Sequence, residues 1–143
     1  MVRTSFFIML LVAGYAAAAP ANFPRHIPLP DDLATAPPPV SAPPEIAAFW
    51  GTWVGSWPDS ADVVLVIEEF IRPRGIKLVY AWGPTPRQPG RWERRDVEVG
   101  GDGTIRIEWP SGANVTLTPR GDTIHAAWER GFRRNETILR RLP

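Results

Sequence analysis

A chain of 143 residues without a single cysteine holds at most one domain with appendages, and it excludes a disulfide framework, a thiolate metal site and a lipid-modified N-terminal cysteine. Sixteen basic residues stand against fifteen acidic ones, for a net charge of +1, a near balance that calls for no nucleic acid or other strongly charged partner. Fifteen of the sixteen basic residues are arginine, a bias that base composition explains as readily as anion binding does.

The N-terminus reads as a secretory signal over residues 1–21: Arg3, an apolar run over 6–12, then small residues over 16–21, with cleavage after Ala18 or Ala21. The apolar run is shorter than the roughly 20 residues that span a bilayer, so the mature chain is expected to have no membrane span and to be secreted, into a periplasm if the source is bacterial. Residues 22–48 follow as a proline-rich linker. Nine of the seventeen prolines lie between 20 and 48, and the stretch reads as an extended, disordered tether. Residues 45–48, after the pair Pro43 and Pro44, are placed to make one helical turn.

From Phe49 to the end the pattern is that of strands. Turn signals at 58–60, 73–75, 83–90, 100–103, 110–112, 119–122 and 130–134 separate eight short apolar or alternating runs. Ile76, Leu78, Tyr80 and Trp82 alternate with Lys77 and Val79; Ile105, Ile107 and Trp109 with Arg106 and Glu108; Ile124, Ala126 and Trp128 with His125 and Glu129. One face is core and the other meets water. The run over 62–70 is apolar on both faces, which calls for an outer cover or a bulge near Glu68 and Glu69. The fold expected is all-β, an eight-stranded antiparallel up-and-down barrel over residues 49–143. An outer-membrane barrel is disfavoured, because Lys77, Arg106, Glu108 and Glu129 occupy its lipid-facing positions.

The stretch Phe49-Trp50-Gly51-Thr52-Trp53 resembles the Gly-x-Trp start of strand one in lipocalins and related small secreted barrels. The resemblance implies a short helical turn before the motif and a tryptophan closing the barrel floor, covered by an arginine of the last strand, Arg140 or Arg141. It further implies that the loops after odd strands surround the mouth. The match covers about residues 45–143 with few motif positions, and avidin-like barrels compare as well.

Trp57, Trp82, Trp92, Trp109 and Trp128 all border odd-numbered turns, so five of the seven tryptophans share one rim. By strand parity Tyr80, Trp82, Trp109 and Trp128 point inward, and Arg87, Arg91, Arg130, Arg133 and Arg134 sit in or beside the mouth loops. Flat aromatic faces with polar tips, beside guanidinium forks, suit a small amphipathic or anionic ligand. The rival reading is a solid core, since small barrels fill their interior with large side chains, and an interaction module docking an envelope protein. No cofactor or metal is expected, and no enzyme: His125, Glu68, Glu69, Asp96 and Glu108 make no catalytic set, and turnover would need an interior acid such as Asp96. His26 and His125 lack metal-ligand spacing, and Gly100-Gly101-Asp102-Gly103 precedes no helix that would make it a phosphate loop.

Overall fold

A computed structural model describes residues 23–143. The signal-peptide reading of residues 1–21 lies outside the described residues. The strands are β1 (Thr52–Ser56), β2 (Asp62–Ile71), β3 (Gly75–Trp82), β4 (Arg91–Glu98), β5 (Ile105–Glu108), β6 (Asn114–Arg120), β7 (Thr123–Arg130) and β8 (Arg133–Arg141), preceded by a single helical turn, α1 (Pro44–Ala47). All pairings are antiparallel, in the order β4-β3-β2-β1-β8-β7-β6-β5, so eight strands form a nearly closed barrel with β4 and β5 at its seam. Among the described residues no helix is long and apolar enough to cross a membrane.

The alternation seen in the sequence is the alternation of the barrel wall. Leu65 pairs with Trp53 and Tyr80, Ile124 with Leu139, and Ile107 with Val115, and all of these line one buried interior. At the floor Trp53 is fully buried and donates its indole N–H to the Phe49 carbonyl at 2.8 Å. The Arg141 guanidinium lies over the Trp53 ring at 4.1 Å and donates to the Trp50 carbonyl. Of the two arginines open as floor cover, Arg141 is the one used: it pairs with Trp53 on the inner face, whereas Arg140 pairs with Val54 outside. Gly51 is required beside it. Its φ is +130°, and a Cβ there would stand 2.7 Å from the guanidinium. Arg74, in the β2–β3 turn, ties the floor together by donating to the Val99 and Gly100 carbonyls and to Glu45 of α1, each at 2.9–3.0 Å.

Strand β2 uses both devices its sequence calls for. The register shifts between Ile67 and Glu69, so Glu68 is the extra residue of a bulge. The bulge returns Phe70 to the inner face opposite Ile76 and leaves Glu69 outside opposite Lys77, with which it pairs at 3.0 Å. The outer apolar face is covered as well. Val64, Val66, Val79 and Ala81 are buried beneath Phe23, Ile27, Leu29 and Leu33.

That cover is the proline-rich segment, which here departs from the free tether expected of it. It is extended, as its prolines dictate, but it lies along the barrel from mouth to floor. His26 meets Asp62 at 2.7 Å, Asp32 meets Arg94 at 3.0 Å, the Ala34 amide donates to Glu68 at 3.0 Å, and the Trp50 indole donates to the Ala36 carbonyl. The physical reason is that β2 and β3 present four small apolar side chains outside the barrel, and the strap's own apolar residues gain by burying them.

Replacing Arg141 by Ala is expected to lower unfolding free energy by about 1–2 kcal/mol, from the lost cation–π contact and carbonyl bond. Arg140→Ala is expected to stay within about 0.5 kcal/mol of the parent, as an exposed outer-face change should. Urea denaturation followed by tryptophan emission separates the two.

Candidate ligand-binding mouth

The odd turns do share one end of the barrel, and the side chains that meet there form a connected aromatic network. Tyr80 stands at its centre. Its ring lies 6.0 Å from that of Trp82 and 5.7 Å from that of Trp109, both tilted, the geometry in which aromatic edges meet faces. Trp57, on the loop after β1, donates its indole N–H to the Tyr80 hydroxyl at 3.1 Å. Tyr80 is only 5% exposed, and burial pushes its phenol up, against the smaller opposing effect of the Trp57 bond, so it stays neutral.

Of the residues expected at the mouth, Tyr80, Trp82 and Trp109 are therefore brought together. Trp128 stands on β7, opposite Val115 and Asn135, and packs on the core from that side. Arg87 sits exposed in the 83–90 loop, where its amide donates to the Thr85 hydroxyl at 3.3 Å. Arg91 pairs with Trp82 on the inner face; its side chain is 70% exposed and lies 3.8 Å from Glu93.

Two charged residues of the site, Glu93 and Arg95, were not among those expected. The register sets Glu93 opposite Tyr80 and Arg95 opposite Leu78, so both point inward. One Glu93 oxygen accepts from Trp109 at 2.9 Å and from Arg95 at 2.6 and 3.1 Å. Arg95 also lies 5.5 Å over the Trp109 ring and donates to the Glu108 carbonyl of β5 at 3.1 Å. These contacts cross the seam between β4 and β5 where the sheet's hydrogen-bond ladder stops. Inward charge at the edge of a sheet also discourages a further strand from adding there. The parity of Glu93 and Arg95 with Tyr80 was the one signal in the sequence, and it becomes readable only once the β3–β4 register is fixed.

The same register moves two other residues outward. Trp92 pairs with Ala81 on the outer face, with Arg94 5.6 Å over its ring. Asp96 pairs with Lys77 there, so it is not the interior acid an enzyme reading would need. Glu68 and Glu69, which adjacency would send to opposite faces, both lie outside because of the bulge. Glu68 is bound by Arg94 at 2.7 and 3.1 Å and Glu69 by Lys77, as ion pairs holding the wall. His125 lies on the outer face opposite Ile138, 3.8 Å from Glu136.

Below the aromatic network the interior is occupied. Leu65, Ile67, Leu78, Ile107 and Leu117 are all within 1% of complete burial. Two open depressions lie on the outer wall, one of about 730 Å³ between β1, β7 and β8 and one of about 380 Å³ beside Glu68 and Arg94.

Burial works against the Glu93 charge, but the bonds from Arg95 and Trp109 and the nearby Arg91 together outweigh it and hold the carboxyl below its usual range. A carboxyl depressed in the folded state stabilises the fold fully above its unfolded value, about 4.3, and that contribution fades as the pH falls below it. Glu93→Gln is expected to cost about 1–3 kcal/mol at neutral pH, from weakened charged hydrogen bonds, and to flatten the acid limb of the stability curve. Denaturant unfolding of parent and variant from pH 3 to 7 is the check.

No family model matches the chain, and no solved structure matches it. It is similar to Sharpin of Bos taurus, 37% identical over 82 residues, which take in 52% of this chain and 20% of that protein. The chain thus spans about a fifth of the length of the curated relative it matches.

Proposed function

We propose that the chain is a secreted, periplasmic binding protein of lipocalin-like build that takes a small amphipathic or anionic molecule across its mouth. The observation that carries this reading is the convergence of Trp57, Tyr80, Trp82 and Trp109 into one network at one rim, with Arg91 exposed beside it. The partly exposed rings of Trp82, Trp109 and Trp128 offer apolar faces, and Arg91 offers a guanidinium fork to a carboxylate or phosphate. One Glu93 oxygen carries the bonds to Trp109 and Arg95, and the other faces Arg91, ready to accept from a ligand hydroxyl. Because the barrel below is filled, the ligand lies over the aromatic layer rather than deep within. The protein acts by holding its ligand, with no turnover of it.

A second reading is favoured by that same filling: an envelope interaction module with no small ligand, docking a protein partner through its mouth loops. The two part on simple evidence. The ligand reading expects tryptophan emission to change on titration with a lipid, sugar or aromatic-acid panel. It expects Trp82→Ala with Trp109→Ala to abolish the response, and Arg91→Gln, at an exposed position that leaves the fold intact, to weaken an anionic ligand about tenfold, as loss of a charge-assisted hydrogen bond should. An unresponsive parent, together with a protein partner lost on deleting residues 84–89, would favour the interaction module instead.

A further inference from the structure

We infer that the mouth end of the barrel docks on an anionic bilayer surface, with Phe132 as the side chain that enters it. Phe132 is 98% exposed at the tip of the β7–β8 hairpin. Arg130 pairs with Arg133, and only Gly131 and Phe132 lie between them. Gly131 takes a φ of +59°, which lets the chain reverse in two residues and sets the phenyl ring at the outermost point of the hairpin. A single exposed apolar residue is ordinary on a protein surface. What distinguishes this one is its surroundings.

Arg130 and Arg133 flank it, Arg87 projects from the loop after β3, and all three are exposed. None of the three makes an ion pair among the described residues, whereas Arg134, next along the chain, is held by Glu129 and Glu136. The mouth also carries one acidic turn residue, the exposed Asp59 after β1, but the β7–β8 tip itself holds none. At the opposite end the turns hold Asp102 between β4 and β5, Arg120 beside Asp122 between β6 and β7, the exposed Arg72, and Arg74 paired with Glu45, and none of them carries an exposed aromatic ring. Of the large apolar side chains exposed on the described residues, the two aromatic ones lie at the mouth end: Phe132 in the turn between β7 and β8, and Trp92 as the second residue of β4.

Unpaired arginines around a projecting phenyl ring match the two components of an anionic lipid surface. Each basic side chain near such a surface strengthens attachment about fivefold, and an aromatic ring settles at the boundary of headgroups and acyl chains. The arginine stems lie along the apolar layer while their heads stay with the phosphates. A soluble polyanion would use the arginines but gives the phenyl ring nothing to enter, so the observations favour a bilayer. This proposal does not rest on the ligand reading, which requires no membrane, although both draw on the mouth end and its Arg87.

The absence of cysteine makes the test direct. Phe132→Cys in the full chain, labelled with the environment-sensitive dye NBD, is compared with Asp122→Cys labelled likewise at the opposite end. The dye responds to its own surroundings, so attachment through any other part of the chain does not mimic insertion of the hairpin tip. Vesicles of phosphatidylglycerol with phosphatidylethanolamine are expected to shift emission to the blue and raise it at position 132 and not at 122, and high salt to reverse the effect. Adding Arg130→Gln and Arg133→Gln should raise the lipid needed for half the shift by about 25-fold, from two fivefold losses. An unmoved spectrum at 132, an equal response at 122, or an equal response to neutral phosphatidylcholine would overturn the proposal. So would the same shift with dextran sulfate in place of vesicles, which would mark a general polyanion site.

Discussion

The barrel consists of two four-strand halves, β1 to β4 and β5 to β8, and the sheet order joins them through the single β1–β8 ladder, which is two residue pairs long. Such a short ladder cannot carry the junction by backbone bonds alone, and the side chains around it show how it is reinforced. Arg141 reaches from β8 over the ring of Trp53 in β1 and on to the Trp50 carbonyl, while the Leu142 amide donates to Thr52 at 2.8 Å. Nearer the mouth the Thr137 hydroxyl donates to the Ser56 carbonyl at 2.7 Å. Gly55 lets the strands approach, since a Cβ there would stand 2.6 Å from Leu139. The junction sets Trp53 beside Arg141 and Gly55 against Leu139, and Trp53 and Leu139 belong to the same buried cluster as Phe49 and Ile46.

The opposite seam is closed by different chemistry. Between β4 and β5 the contacts are side chain to side chain and side chain to carbonyl: Glu93 to Trp109, and Arg95 to the Glu108 carbonyl. One junction is thus a backbone ladder capped by a cation–π contact, and the other is a charged clasp. The clasp lies at the mouth, so the residues that finish the fold also furnish the candidate ligand surface.

Much of this was legible in the sequence, and the parts that were not share a cause. Turn spacing and alternation identify eight strands because both are local properties of the chain. The doubly apolar run in β2 announced that something had to cover it. What hid the cover was composition: Ile27, Leu29 and Leu33 are embedded among prolines that suppress any periodic signal, so a segment lying along the barrel reads like one that is free. β4 hid its inward face for a related reason. In Arg91-Trp92-Glu93-Arg94-Arg95-Asp96 the two parities are almost equally polar, and the tryptophan falls on the outer one. Only pairing with Tyr80, a nonlocal fact, decides which face is which.

The filled interior constrains any binding role more firmly than the list of rim residues does. For a ligand to enter the barrel, Tyr80 would have to leave a site where it is buried, touches two tryptophan rings and accepts a hydrogen bond from a third. Vacating a large aromatic site in a packed core costs about 3–5 kcal/mol, a substantial share of the 5–15 kcal/mol that typically holds a domain folded. Displacing Tyr80 would also loosen Trp109, and through it Glu93 and the clasp between β4 and β5. Binding across the rim avoids both costs, because the partly exposed ring faces are available without moving any member of the network. Tyr80 is therefore better understood as the platform of the mouth than as its gate: it holds the rings of Trp82 and Trp109 at fixed tilts, which pre-organises the surface they present.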